Sequence, residues 1–256
     1  MIRSALALTT IVASLVATAA SAANSGPAPM GAGAGVPPTD QQTLSGRPHD
    51  IEQSGDYTDR AHLLGGRNAA MERAAARVES EKLIAEIQLP CEITDAEPVG
   101  RGKAQMEDNK KVSVAVYEIA CGNGMGYILL SREDAKPYAT SCFSADKTHA
   151  ADLAKGHKTD MYCQLAATKD VKATAASLLS GAGKTCAVRT VLWFGRSVMT
   201  NTEYTEVLCE DGAGYMIRSA QAGSTEPISV MTCPEAGEHG LTCHLAGDAG
   251  APKANP

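Results

Sequence analysis

The chain carries eight cysteines, and the residues around them occur twice. Cys91, Cys121, Cys142 and Cys163 are followed by Cys186, Cys209, Cys233 and Cys243 in the same order and in similar surroundings. Gly122-Asn123-Gly124-Met125-Gly126-Tyr127 follows Cys121, and Glu210-Asp211-Gly212-Ala213-Gly214-Tyr215 follows Cys209. Cys91, Gly100 and Arg101 recur at one constant offset as Cys186, Gly195 and Arg196. Glu118, Cys121, Gly124, Gly126 and Tyr127 recur at a second constant offset as Glu206, Cys209, Gly212, Gly214 and Tyr215. Cys163-Gln164-Leu165-Ala166 returns as Cys243-His244-Leu245-Ala246. Offsets that hold within blocks and change between them place length differences in connecting loops, as a duplicated fold does. This reading predicts two repeat units, residues 58–166 and 167–246.

The ends read differently. Arg3, the small apolar run Ala5 to Ala20 and the Ala20-Ser21-Ala22 site have the form of a secretory signal peptide over residues 1–22. Residues 23–57 are rich in Pro, Gly and Ala, as in Gly31-Ala32-Gly33-Ala34-Gly35, and read as a flexible leader. Residues 247–256 read as a flexible tail. No later stretch has the length and apolarity of a membrane span. An even number of cysteines in an exported chain predicts disulfides. Zinc would want close pairs such as C-x-x-C, and a thiol–disulfide enzyme would want that motif at a helix start; neither occurs. The expected compartment is the periplasm or the outside of the cell.

Within each unit the pattern predicts one helix followed by a four-stranded antiparallel meander, an α+β fold repeated in tandem. The helices fall at about Asn68 to Ile87, with Met71, Ala75, Val78 and Leu83 or Ile84 on the apolar face, and at about Thr168 to Leu179, with Thr168 as N-cap. β-branched runs predict strands at Cys91 to Val99, Val112 to Ala120, Tyr127 to Ser131 and Tyr138 to Ser141, and again at Cys186 to Phe194, Thr202 to Leu208, Tyr215 to Ser219 and Ile228 to Thr232. If the first two strands form a hairpin, with Val99 opposite Ser113 and Phe194 opposite Asn201, then Cys91 faces Cys121 and Cys186 faces Cys209, within bridging distance. Cys142 and Cys233 on the fourth strand are too far from these and are left for Cys163 and Cys243. The expected bridges are therefore Cys91–Cys121, Cys142–Cys163, Cys186–Cys209 and Cys233–Cys243. In layout alone, this doubled helix-plus-sheet pattern is similar to secreted tandem-domain inhibitors of the β-lactamase-inhibitor type; no motif residue carries that similarity, and it implies no site and no activity.

The chemistry-bearing residues are few. The formal net charge of -6 disfavours a nucleic-acid partner. The Gly-rich segments after Cys121 and Cys209 run into strands, so they read as hairpin turns and not as phosphate loops. Glu118 and Glu206 are expected at the surface or paired with Arg101 and Arg196. His149 and His157, with Asp146, Asp152 and Asp160, are expected in the loop before Cys163, and His239 and His244, with Glu235 and Glu238, in a short loop near Cys233. No catalytic signature is present, and neither a cofactor nor a metal is implied. Trp193 and Phe194 form the densest aromatic spot of a chain with one Trp and two Phe. A strand apolar on both faces needs cover on both, from the other unit or from a ligand. The candidate binding residues are Trp193, Phe194, Arg196 and Tyr215. The expectation is a non-enzymatic binding or interaction module for an unknown protein or envelope ligand. Its alternatives are a hydrolase-like envelope enzyme with a site between the units, and a structural envelope component tethered by its leader.

Overall fold

The computed structural model describes residues 57–105, 110–157, 161–224 and 226–245. The signal peptide, nearly all of the leader and the tail lie outside the described residues. The elements are β1 (Thr58–Asp59), α1 (Arg60–Leu64), α2 (Ala69–Glu86), β2 (Ile93–Gln105), β3 (Lys111–Cys121), β4 (Gly126–Arg132), β5 (Ala135–Ser141), α3 (Cys142–Ala154), α4 (Val171–Gly181), β6 (Val188–Ser197), β7 (Thr202–Cys209), β8 (Gly214–Ala220), β9 (Ser229–Thr232) and α5 (Cys233–Glu238). They form a mixed α+β fold with two antiparallel sheets, β1-β2-β3-β4-β5 and β6-β7-β8-β9.

Strand alternation decides where the core lies. Ile119 of β3, Tyr127 and Leu129 of β4, Val207 of β7 and Ile217 of β8 share one core with Leu83 at the end of α2 and with Ala175, Leu178 and Leu179 of α4. The inner faces of both sheets thus join in a single apolar interior. The outer face of the first sheet buries Val114, Val116, Ile128 and Leu130 around Cys142 and Cys163. The outer face of the second buries Phe194, Tyr204 and Met216 under Ala236 and Leu241. Hydrogen bonds cross the seam, among them the Tyr127 hydroxyl to the Ala220 carbonyl at 3.0 Å and the Gly223 N–H to the Ile87 carbonyl at 2.8 Å.

The four disulfides are Cys91–Cys121, Cys142–Cys163, Cys186–Cys209 and Cys233–Cys243, with Cα separations of 5.2, 5.7, 5.4 and 5.8 Å. The expected partners are joined, but the hairpin register behind the expectation differs. Ile93, not Cys91, faces Cys121, and Lys103 faces Ser113. Val188 faces Cys209, and Ser197 faces Thr202. Each first strand runs further than expected and absorbs residues in two bulges, at Ile93/Asp95 and Pro98/Gly100 in β2 and at Val188/Thr190 and Trp193/Gly195 in β6. A bulge opposes two residues to one, so it offsets the ladder without showing in the hydropathy alternation.

Other differences have local causes. Cys142 and Cys233 do not end strands; each opens a helix, capped by the side chains of Ser141 and Thr232. The stretch before Cys163, expected as a loop, holds the thirteen-residue α3 with Asp146, His149 and Asp152 on it. Asp160 lies outside the described residues. The N-cap of α4 is Asp170, whose carboxylate accepts from the N–H groups of Lys172 and Ala173, and not Thr168, which is buried. On α2 the buried face is Ala76, Ser80 and Leu83, while Met71 and Val78 face outward. Among the described residues no helix is long and apolar enough to cross a membrane.

Candidate functional site

Glu118 and Glu206 were expected near the surface, and both are fully buried. Arg101 binds Glu72 at 3.0 Å and not Glu118, and Arg196 lies 3.5 Å from the Tyr138 hydroxyl. Glu118 accepts from the N–H groups of Gln164 and Leu165, at 2.7 and 2.9 Å, and from the Thr168 hydroxyl at 2.8 Å. Glu206 accepts from the N–H groups of His244 and Leu245, at 2.8 and 2.6 Å. Each carboxylate ties down the segment just past the second cysteine of a bridge, where the backbone has no ladder to join. Three donor atoms also come together at Glu118, Cys142 and Cys163, and again at Glu206, Cys233 and Cys243. In both, the sulfurs are bonded to each other, which removes the thiolates that a metal would need.

Glu118 belongs to a larger network. Arg60 of α1 is buried and donates to Glu97 at 2.5 Å, to Glu118 at 2.8 Å and to the Tyr162 carbonyl at 3.1 Å. Arg73 meets the other Glu97 oxygen at 2.7 Å. Burial nevertheless holds the Glu97 carboxyl above its usual range. Every oxygen here is engaged within the protein, so the network reads as a clasp holding α1 and α2 on β2 and β3.

The aromatic residues are largely consumed by the fold. Trp193 is half-buried against the shared core, with the Lys147 ammonium of α3 5.0 Å from its ring centroid and bonded to its carbonyl at 3.2 Å. Phe194 points to the opposite face, where it is buried and stacks on His244 at 5.3 Å between ring centroids. Tyr215 packs half-buried against the shared core. Of the four candidate binding residues, Arg196 lines an open space.

That space is a cleft of about 430 Å³ where the two sheets meet at their ends. Leu130, Arg132, Lys136, Pro137 and Tyr138 line it from the first sheet, and Arg196, Ser197, Val198, Asn201, Gln221 and Ala222 from the second. A wider dish of about 710 Å³ opens around Arg101, Lys103 and Ser113. The cleft is held from behind. The Asn201 carbonyl accepts from the Gln221 N–H at 2.8 Å, and Asn201 itself stands at φ 49°, a left-handed conformation that a β6–β7 turn of this shape demands. Opposite Arg196 in the ladder, Glu203 of β7 is 1% exposed and accepts from the Ser141 hydroxyl. Burial pushes its carboxyl up to about 7, against the hydrogen bond from Ser141 and the charge of Arg196, which favour ionisation. Ser219, opposite Glu203 in the ladder, and Thr205 on the same face keep buried hydroxyls without a partner among the described residues. A polar seam therefore runs through the junction of the two sheets.

Sequence reasoning missed the cleft because its lining comes from five separated segments. Arg132, Lys136 and Gln221 carry no motif, and only the repeat register drew attention to Arg196. Comparison with known protein families, with curated proteins and with solved structures finds no match for this chain.

Proposed function

We propose that the chain is an exported, non-enzymatic binding module built from a duplicated unit, and that the cleft between its two halves is the binding site. The duplication is supported by corresponding irregularities. The bulge pairs at Ile93/Asp95 and Pro98/Gly100 match those at Val188/Thr190 and Trp193/Gly195 in the repeat register. Gly124 and Gly212 close equivalent turns at φ 87°. Glu118 and Glu206 anchor equivalent segments. The four disulfides fit an oxidising compartment, and with the signal-like residues 1–22 they support a location in the periplasm or outside the cell.

The observation that carries the binding reading is the composition of the cleft wall. It is built by both halves, has the volume of a small-molecule or side-chain site, and is lined without a carboxylate, an imidazole or a thiol. Hydrolysis at neutral pH needs a positioned base, and Glu203, the carboxyl with the most strongly raised pKa among the described residues, is fully buried and is not part of the lining. The partner is a protein or envelope ligand that meets the cleft and its exposed rim residues Val198 and Met199.

The test is equilibrium dialysis of the mature protein against envelope extract, with both small molecules and proteins identified after washing. Wild type is expected to retain a species that Val198→Asp and Lys136→Glu lose while keeping wild-type unfolding midpoints. Protein-dependent appearance of a product, or retention indifferent to both variants, would overturn the reading.

A further inference from the structure

We propose that the last residues of the expected leader, Ser54 to Asp56, dock on the open edge of β2 and lengthen β1 there, with Asp56 against Lys103. The proposal is independent of the cleft. Ser54 to Asp56 lie outside the described residues, and their path is set by the residues that follow them. β1 runs antiparallel to β2, with Thr58 facing Arg101 and Asp59 facing Gly100. β2 continues past Arg101 to Gln105, and among the described residues no strand pairs with this edge beyond Arg101. A chain that enters β1 in this direction arrives from beside Gly102, Lys103 and Ala104.

The entry point is held firmly. Tyr57 packs on the outer face of the first sheet, in the cluster that holds Val99, Ala104 and Val112. A Cβ at Gly100 would run into its ring, so the close approach requires glycine. Arg60, three residues later, is buried in the clasp with Glu97 and Glu118. Continuing the ladder from Thr58 sets Asp56 opposite Lys103, Gly55 opposite Ala104 and Ser54 opposite Gln105. Side chains alternate between the two faces of a strand. Thr58, Arg101 and Lys103 border the dish, so Asp56 falls on that side. Gly55 falls on the other, beside Ala104, which is buried, and it brings no side chain that needs room.

Charge selects the leader as the occupant. The charged residues that line the dish are Arg101, Lys103 and Glu133. Arg101 is held by Glu72 at 3.0 Å, and Glu133 accepts from the Ser113 N–H at 3.4 Å. Lys103 is exposed and has no ion-pair partner among the described residues. Asp50, Glu52 and Asp56 carry the only charges of residues 50–56, so the segment is acidic where the edge offers a cation. Opposite charges facing each other across a ladder attract, and like charges repel. A second copy paired antiparallel through this edge about residue 103 would instead bring two Lys103 ammoniums together. Once docked, the leader covers an edge that could otherwise pair with another chain.

The experiment is NMR of the mature protein at low salt, reading cross-strand contacts and amide hydrogen exchange. The expected result is contacts that link residues 55 and 56 to residues 103 and 104, with slowed exchange at 54–56. Asp56→Lys and Lys103→Glu are each expected to speed exchange at 54–56 by about two- to fivefold, the size of an exposed cross-strand charge pair, and added salt to narrow that difference. Both positions are solvent-facing in the docked arrangement, so the variants are expected to keep wild-type unfolding midpoints. The double variant, with the two charges exchanged, is expected to recover the wild-type exchange rates. Exchange at 54–56 as fast as in a free peptide of that sequence overturns the proposal. So does a loss in the single variants that the charge exchange does not recover. Protection of Gly102 to Ala104 that grows with protein concentration assigns the edge to a second copy and overturns the leader as its occupant. None of these results bears on the cleft, which the dialysis experiment decides separately.

Discussion

Glu203 makes the stability of the two-sheet junction depend on pH in a direction opposite to that of most paired carboxylates. Its carboxyl is pushed up to about 7 by burial, from an ordinary value of 4.5. Between those values the folded chain holds a proton that the unfolded chain has released. Stability from this group is therefore complete below pH 4.5 and is lost as pH rises through about 7. At ~1.4 kcal/mol per pH unit, the gap amounts to about 3 kcal/mol. Glu203→Gln keeps an acceptor for the Ser141 hydroxyl and cannot ionise. The variant and wild type are expected to match within ~0.5 kcal/mol at about pH 4 and to diverge to about 3 kcal/mol in favour of the variant by about pH 8.5. For a chain of this size that is a midpoint difference of roughly 6–12 °C. The assay is urea unfolding across this range, read by the fluorescence of Trp193, the single tryptophan. Taking the difference between the two proteins cancels the other titrating groups, among them Glu97 and Asp146, whose pKa values are raised, and Asp59, whose pKa is lowered. A difference that is flat with pH, or that grows toward acid, would refute the assignment of a buried, protonated Glu203.

Other consequences are local. Glu118→Gln puts an amide NH₂ against donors from Gln164, Leu165 and Thr168 and leaves Arg60 with one buried carboxylate; a loss of about 3–5 kcal/mol is expected in chemical unfolding. Glu206→Gln disturbs the N–H groups of His244 and Leu245 and lies outside the Arg60 clasp; about 1–3 kcal/mol is expected by the same assay. Replacing Cys142 and Cys163 together by Ala opens one local loop and is expected to cost roughly 2–4 kcal/mol, with non-reducing peptide mapping of the variant returning the other three bridges unchanged. Gly126→Ala would place a Cβ 2.4 Å from the Thr168 methyl and 2.6 Å from Cys142 Sγ, so about 1–3 kcal/mol of destabilisation is expected, again by unfolding.

The sequence alone determined what depends on neighbours along the chain. The doubled cysteines and constant offsets were sufficient to pair the bridges, because hairpin partners lie close in space whatever the details of the ladder. The turns at Gly124 and Gly212 were legible because a positive φ favours glycine. Helix α2 was placed to within a residue at each end, yet its buried face was not, because Met71 and Val78 are apolar and no cover reaches them. The tertiary structure alone decided the rest. The bulges in β2 and β6 change register without changing composition. Glu118, Glu206 and Glu203 are polar residues in buried positions, and only the groups that surround them show whether a carboxylate is a cap, a clasp or a protonated seam. The cleft exists because two sheets share one core and bring their ends together, so Arg132, Lys136, Arg196 and Gln221 line one space although no spacing along the chain relates them.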